Sequence, residues 1–308
     1  MIEFKNVKFN IKNIDIVNNL NFVINDNTVT CFVGNKNSGK TSILKLISKI
    51  YKNYYGEILI DGIDISNIKI LNIGVVFDDR EQNTDLSVME YLEFYGGLNS
   101  KHKAKELNNT IETYLKMFSL MSYKHTDVNM LDNESYKLLE IIRVMMNNPD
   151  IILFDNLFFS DNPEFNDRLL ELVKKMVGRK TLIFACRSLN YIENICEYIG
   201  VMDAGSLLAF GKKDEVYKLA SLKNKIEVEV KDGLQEAIEI LKKNDNITNI
   251  VYEDNKIIFS IVEDYLGTKE KGELESKILK TLIDNSISVY SFKKEQVGFE
   301  RLFGRLKE

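Results

Sequence analysis

The chain of 308 residues contains little of what several functional classes require. It has three cysteines, two histidines and two prolines, and it has no tryptophan. Cys31, Cys186 and Cys196 are not spaced like a disulfide framework or a zinc site, so we expect buried free thiols. His102 and His125 lie in separate polar segments and predict neither metal ligation nor a histidine-activated nucleophile.

Positive charge and long apolar runs are also missing. The formal net charge is −5, so the chain lacks the basic excess that a partner held by phosphate neutralisation requires, and we expect no nucleic-acid partner. No stretch reaches the roughly 20 apolar residues of a membrane-spanning helix. Any work at a membrane is therefore expected to go through a partner.

Up to about residue 220, predicted strands alternate with predicted helices. Short apolar or alternating runs indicate strands, and runs with a period near 3.6 indicate helices. This alternation predicts an α/β domain with a mainly parallel, covered sheet. The predicted strands include 2–9, 28–33, 56–62, 73–77, 151–155 and 181–185, and the predicted helices include 42–50, 88–123 with a charged break at 101–105, 138–147, 164–177 and 189–198.

The pattern changes near residue 223. Residues 226–230 alternate strictly between apolar and acidic side chains, as a half-buried strand does. The order that follows is β-α-β-β-α-β, which predicts a small ferredoxin-like α+β domain over residues 221–308 with a short final helix.

Residues 34–41 read Gly-Asn-Lys-Asn-Ser-Gly-Lys-Thr and fit the pattern G-x-x-x-x-G-K-S/T. A predicted strand precedes them and a predicted helix follows, so successive backbone N–H groups are expected to surround phosphate oxygens. Lys40 is expected to reach the β- and γ-phosphates, and the Thr41 hydroxyl to bind Mg²⁺. The predicted phosphate-binding residues are Gly34, Asn35, Lys36, Asn37, Ser38, Gly39, Lys40, Thr41 and Ser42.

Asp155 ends an apolar predicted strand and is the natural second Mg²⁺ partner, usually through water. A carboxylate at a strand end could instead cap the following turn. Its occurrence with the upstream phosphate loop favours the metal role. The two motifs together predict a site for ATP with Mg²⁺.

These two motifs, and the segments between them, resemble the ATP-binding-cassette (ABC) transporter ATPases over almost all of residues 1–220. Residues 73–98 are similar to the family's Q-loop and to the helical region that receives the permease's coupling helix. Residues 200–207 are similar to its closing strand pair. The resemblance implies an ABC ATP-binding domain over 1–220 with antiparallel strands beside the parallel sheet and a helical subdomain at about 86–147. The tail at 297–303 is similar to that of exporter subunits.

Two positions and one short segment depart from the family's catalytic pattern. Asn156 stands where the family has the glutamate that polarises the attacking water, and an amide cannot take a proton. Arg187 stands at the switch histidine; it has no acceptor, although it could hold the γ-phosphate as a fixed cation. A surface arginine is the alternative. Residues 131–135 read Leu-Asp-Asn-Glu-Ser in place of the signature, so acidic groups are expected to occupy that helix N-terminus and repel phosphate.

Two further positions of the expected pocket differ from the family. Asp78 replaces the Q-loop glutamine, which also resembles some exporter subunits. The residue in register with the family's adenine-stacking aromatic is Ile11. Phe9, two residues away, is the better physical candidate because a base stacks on a π face, and it could equally belong to the core.

The sequence therefore predicts an ATP-binding subunit of a membrane transporter of exporter type. Mg-ATP binding drives dimer closure, and hydrolysis is weak or lost. The expected partners are an integral-membrane permease and a second ATP-binding subunit. A heterodimer is preferred because a homodimer would lack both base and signature at each site. The expected location is peripheral, on the cytoplasmic face of the membrane.

Two alternatives stay open. One is a competent ATPase in which Asp78 or Asp161 supplies the missing carboxylate. The other is a soluble ATP-dependent regulator without a permease. The sequence does not identify the transported substrate, the role of the C-terminal domain or whether residual hydrolysis occurs.

Overall fold

The computed structural model describes residues 1–80, 85–98, 104–219, 225–261 and 268–294. The chain divides into two compact units, Met1–Val216 and Tyr217–Glu308. The first begins with strands β1 (Ile2–Ile11), β2 (Ile14–Ile24) and β3 (Val29–Val33), helix α1 (Lys40–Ile47), and strands β4 (Tyr55–Ile60), β5 (Ile63–Asp64) and β6 (Ile73–Val76). It continues with helices α2 (Val88–Gly97), α3 (Ala104–Met117) and α4 (Asn133–Met146), strand β7 (Ile151–Asp155), helix α5 (Pro163–Lys174), strands β8 (Thr181–Cys186), β9 (Tyr198–Asp203) and β10 (Ser206–Lys212), and helix α6 (Lys213–Leu219), which crosses the boundary.

The larger sheet of the first unit has the order β10-β9-β3-β8-β7-β6, and all of its strand pairs are parallel except β9–β10. Every residue of β3 is buried, as expected for a central strand of a sheet covered on both faces. The second sheet, β2-β1-β4-β5, is antiparallel. The predicted combination of a mainly parallel sheet with antiparallel strands beside it is confirmed.

A shared apolar core joins the two sheets to helix α1. Ile43, Leu44 and Ile47 of α1 have no exposed surface and belong to the same buried cluster as both sheets. Phe22 of β2 and Phe32 of β3 bring the sheets together, with ring centroids 5.1 Å apart. This packing fixes the end of β3 and the start of α1, which are joined by residues 34–39 of the phosphate-loop sequence.

Helices α2, α3 and α4 contact one another. Helix α2 begins with a capping box, in which Ser87 and Glu90 satisfy each other's backbone N–H groups. The predicted helix at 88–123 is two helices in the structure, and the one predicted from Leu138 begins five residues earlier, at Asn133.

The predicted helix at 189–198 is wrong. The segment makes turns, with Ile192 N–H donating to Leu189 O at 2.8 Å and Cys196 N–H to Ile192 O at 2.9 Å. Its apolar side chains are buried, which produced the helical periodicity. The chain cannot continue as helix because Glu197 N–H bonds to Val29 O at 3.0 Å, and strand β9 begins at the next residue.

The second unit contains β11 (Lys225–Val230), α7 (Leu234–Lys242), β12 (Ile247–Glu253), β13 (Lys256–Ile261), α8 (Thr268–Asp284) and β14 (Val289–Lys294). Its sheet has the order β12-β13-β11-β14, with every pair antiparallel. Ile226, Val228 and Val230 are buried in its apolar core, so the strict alternation of β11 is that of a strand with one covered face. The predicted final helix and the tail at 297–303 lie outside the described residues.

Candidate nucleotide-binding site

The loop between β3 and α1 requires glycine at both of its ends. A Cβ on Gly34 would lie 2.2 Å from Met202 O and 2.7 Å from Ser38 Oγ. Gly39 has a φ of +98°, and a Cβ there would lie 2.8 Å from Ile16 O. Gly39 also precedes the first turn of α1 as its N-cap. The backbone is thus folded tightly enough to present the N–H groups of α1 and the loop toward one cavity.

We expect Gly34→Ala to destabilise the domain. The added methyl group meets a backbone oxygen at 2.2 Å, and overpacking of this kind typically costs about 1–3 kcal/mol. The free energy of unfolding, measured by urea denaturation, should fall by that amount, and Mg-ATP affinity should fall with it. Gly97→Ala is the matched control, since a Cβ there has nothing within 4 Å. Equal stability of the two variants would contradict this description of the loop.

Lys40 lies at the floor of the loop with only 8% of its surface exposed. Its Nζ donates to Gly34 O at 2.8 Å, to Asn35 O at 2.7 Å and to Ser38 Oγ at 2.9 Å. Burial lowers the pKa of the Lys40 ammonium, and the nearby Asp155 carboxylate opposes that shift. The three acceptors therefore hold a desolvated cation where the phosphate chain of a nucleotide would lie.

Thr41 and Asp155, the two predicted Mg²⁺ ligands, are in contact. Thr41 Oγ1 donates to Asp155 Oδ1 at 3.0 Å. Asp155 is 7% exposed, and burial is the main cause that raises the pKa of its carboxyl; the neighbouring Asp78 charge raises it further. A hydroxyl and a carboxylate are the hard oxygen donors that Mg²⁺ prefers. Within the described residues no group of three or more His, Cys, Asp or Glu side chains could hold a metal ion. Mg²⁺ usually keeps several waters and is bound through one or two carboxylates together with substrate phosphates, and the Thr41–Asp155 pair fits such a site.

Asn156 and Asp78 are brought together, which the sequence did not indicate. Asn156 Nδ2 donates to Asp78 Oδ2 at 3.1 Å. The Asn156 backbone has a φ of 47°, and its N–H donates to Ala185 O at 2.8 Å, which fixes its position after β7.

A cavity of about 420 Å³ joins most of the predicted residues. Arg187 lies at its rim, exposed but close enough for its charge to lower the pKa of Lys40. Gly34 and Asn35 contribute the carbonyl groups that accept from Lys40. The predicted residues on the cavity wall are Lys36, Asn37, Ser38, Gly39, Lys40, Thr41, Ser42, Asp78, Asp155, Asn156 and Arg187, and those that sequence reasoning missed are Ile16, Asp79, Ala185 and Cys186.

Phe9 requires a correction as the expected adenine platform. It is 6% exposed, and its ring stacks on Tyr51 with centroids 4.4 Å apart. Its π face is therefore covered inside the core. Ile11, in register with the family's aromatic, is 40% exposed, and Ile16 lies on the cavity wall.

The segment in place of the signature begins helix α4 with carboxylates. Asp132 is the N-cap residue, and its Oδ1 accepts from Ser135 N at 2.8 Å while its Oδ2 accepts from Ser135 Oγ at 3.2 Å. Glu134 accepts from Ser160 Oγ. Asp161 lines a separate cleft with Asp132 and Glu134 and is not on the wall of the nucleotide cavity.

The loop between β3 and α1, the buried ammonium and the Thr41–Asp155 pair define a P-loop nucleotide-binding domain. Residues 17–158 match the family described as ABC transporter. The first unit is an ABC transporter ATP-binding domain. Among the described residues, no helix combines the length and the apolar character needed to cross a bilayer.

Curated relatives belong to the same class. The chain is 26% identical over 267 residues to the energy-coupling factor transporter ATP-binding protein EcfA1 of Mycoplasmoides gallisepticum, covering 85% of this chain and 95% of the relative. It is 24% identical over 230 residues to a methionine import ATP-binding protein of Oenococcus oeni, covering 70% of this chain but only 65% of the relative.

The structural likenesses concern the fold. An ATP-binding cassette solved as a dimer in a post-hydrolysis state, bound to ADP and Pi, has a TM-score of 0.63 and 23% identity, over 69% of this chain and 98% of that one. The protein cbiO1 from Clostridium perfringens, part of the ABC transporter complex cbiONQ, has a TM-score of 0.60 and 22% identity, over 72% of this chain and 92% of that one.

Proposed function

We propose that the chain is the ATP-binding subunit of a membrane transporter, in which Mg-ATP binding drives closure of an ATP-binding dimer and hydrolysis is slow. The observation that carries this is the retained binding apparatus. Lys40 is held by three acceptors, and Thr41 and Asp155 are in contact at 3.0 Å. Thr41 and Asp155 would hold Mg²⁺, which when bound neutralises phosphate charge.

Slow hydrolysis is supported by the groups beside that apparatus. The residue after Asp155 is an amide, so the position that follows the metal ligand offers no carboxylate to accept a proton from water. The N–H groups at the start of α4 lie beside the carboxylates of Asp132 and Glu134, which oppose a phosphate approaching that helix end. Binding therefore depends on features that are kept, and turnover on features that are changed.

The proposed partners follow from this asymmetry. In a pair of identical chains, the start of α4 that faces each nucleotide would carry carboxylates. A different partner whose corresponding helix starts without carboxylates would complete the nucleotide site of this chain. We therefore prefer a heterodimer bound to a permease at the cytoplasmic face of the membrane. The curated relatives include importers and exporters, and export is proposed on the sequence of the tail at 297–303 and on Asp78.

The test is a measurement of affinity and turnover on the purified chain. We expect saturable Mg-ATP binding at or below millimolar concentration. A typical enzyme turns over about 10 times per second, and loss of a base costs about 100-fold or more, so we expect less than about 0.1 per second. Faster turnover by the isolated chain would contradict slow hydrolysis. Failure to bind Mg-ATP would remove the whole proposal.

The membrane assignment needs a second experiment. Affinity purification of the chain from its native membranes should recover a multi-helix membrane protein together with a second, different ATP-binding chain. Recovery of the chain alone from the soluble fraction would favour the regulator without a permease. Recovery of a permease with only this ATP-binding chain would contradict the heterodimer.

A further inference from the structure

We propose that Asp78 is the general base for the slow ATP hydrolysis of this chain, with Asn156 as its partner in orienting the attacking water. The inference rests on the proposed function, because it needs Mg-ATP in the cavity that Lys40 and Thr41 line. It assigns a catalytic role to a carboxylate that lies 77 positions from Asp155 in sequence.

The hydrogen bond between Asn156 and Asp78 is the first support. The amide Nδ2 donates to the carboxylate Oδ2 at 3.1 Å, and both side chains are on the wall of the cavity that holds Lys40 and Asp155. The amide retains its oxygen as an acceptor, and the carboxylate retains acceptor capacity at Oδ1. A water molecule between them can therefore donate one hydrogen bond to each side chain. The pair supplies one group that orients water and one that takes its proton.

Both members of the pair are attached to rigid parts of the domain. Asn156 follows β7 directly and is fixed by its backbone bond to Ala185 O at 2.8 Å. Phe77 O, immediately before Asp78, accepts from Lys137 Nζ at 2.8 Å. Lys137 extends from α4 and is 4% exposed, so this bond is made inside the domain. A base must be held within hydrogen-bond reach of its water, and these two anchors do so from both sides.

Lys137 acts as a positioning residue for Asp78. Asp78 lies close enough to Asp155 that its charge raises the pKa of the Asp155 carboxyl. The Lys137 ammonium interacts electrostatically with both carboxylates. It interacts in the same way with Glu140 and Asp79. Its charge offsets part of their repulsion, although its own pKa is lowered by burial. Lys137 is therefore expected to affect turnover through Asp78, without contact with the nucleotide.

The reaction balances with water as the only co-reactant. The water oxygen bonds to the γ-phosphorus while the bond from that phosphorus to the β–γ bridging oxygen breaks. One water proton moves to Asp78, and the bridging electron pair leaves with ADP. Asp78 then releases its proton to solvent, so the products are ADP, orthophosphate and one proton. In a pair of identical chains the rate stays low because the carboxylates at the start of the partner copy's α4 oppose charge on the γ-phosphate.

Asp161 is the competing carboxylate and provides the matched control. It lines the cleft beside Asp132 and Glu134, apart from the nucleotide cavity. Asp161→Asn and Asp78→Asn each remove one negative charge and change the shape of the side chain equally little. The two variants therefore differ only in which carboxylate is lost.

The experiment is a single-turnover measurement with γ-labelled Mg-ATP and the purified full chain in excess. We expect Asp78→Asn to lower the rate about 100-fold, the lower part of the range for a lost base, with the Kd for Mg-ATP changed by less than about 3-fold. Asp161→Asn should leave both values unchanged. Lys137→Gln should lower the rate without changing Kd, and Lys137→Arg should recover it.

A readout without nucleotide tests the geometry independently. The side-chain amide NMR signals of Asn156 should shift in Asp78→Ala and stay in place in Asp161→Ala. An unchanged rate in Asp78→Asn, or a wild-type chain that binds Mg-ATP but gives no measurable turnover, overturns the inference and leaves the proposed function standing. A wild-type chain that does not bind Mg-ATP instead overturns the proposed function.

Discussion

Lys40→Ala is expected to weaken Mg-ATP binding by about 1,000-fold. The ammonium is desolvated and held by carbonyl and hydroxyl oxygens of its own loop, so it can turn to phosphate oxygens with little further loss of hydration. A hydrogen bond to a charged group is worth about 2 kcal/mol, and two such bonds give about 4 kcal/mol, or roughly 1,000-fold in Kd. Isothermal titration calorimetry with Mg-ATP measures the change.

Lys36→Ala is the matched control for that experiment. Lys36 belongs to the same loop, but its side chain is exposed, and its expected contribution comes from its backbone N–H. We expect its Kd to change by less than about 5-fold, the size of a weak surface charge effect. A loss in Lys40→Ala no larger than that in Lys36→Ala would show that the loop does not hold phosphate through the buried ammonium. Circular dichroism on both variants checks that they are folded.

Asp155→Asn is expected to remove the Mg²⁺ dependence of ATP binding and at the same time to stabilise the nucleotide-free protein. Burial raises the pKa of Asp155 above its ordinary value of 3.8, so the folded state binds that proton more tightly than the unfolded state does. The resulting stability is fully present below pH 3.8 and is lost as the pH rises through the raised pKa. Above it, the buried charge opposes folding. Asparagine has nearly the same shape and no charge.

The measurement combines denaturation with nucleotide titration at pH 7.5. We expect the free energy of unfolding of Asp155→Asn to rise, because the variant buries no charge, and the gain to disappear at low pH, where the wild-type carboxyl is protonated. Mg²⁺ should no longer tighten ATP binding. Asp167→Asn, on the exposed face of α5, should change neither quantity. A less stable Asp155→Asn that still responds to Mg²⁺ would contradict the role given to this carboxylate.

The class of the protein was predictable because its signals are local. The phosphate loop requires glycine where a Cβ would meet backbone within 3 Å, so Gly34 and Gly39 mark it in the sequence itself. The fully apolar strand β3 before it and helix α1 after it are equally local patterns. Asp155 could be assigned because it ends a similar buried strand, β7.

The parts that were not predictable depend on distant packing. The Asn156–Asp78 contact joins residues 78 positions apart, and no periodicity reports it. Phe9 has the chemistry of a base-stacking residue, and only the position of Tyr51 shows that its face is already covered. The segment at 189–198 has helical spacing of its apolar residues. It nevertheless forms turns, because the chain then pairs with β3 as strand β9.

The carboxylates at the beginning of α4 also determine how another molecule meets this side of the domain. Asp132 is exposed, Glu134 is half-buried and Asp161 is exposed nearby, so an approaching surface first meets negative potential. Encounter with a basic surface is accelerated at low ionic strength, while encounter with a like-charged surface is slowed there. Because these charges face solvent, added salt weakens both effects, and at 0.1 M it screens them strongly beyond about 10 Å. The rate at which a partner associates with this face therefore depends on the charge of the partner's surface, before a nucleotide is bound between the two molecules.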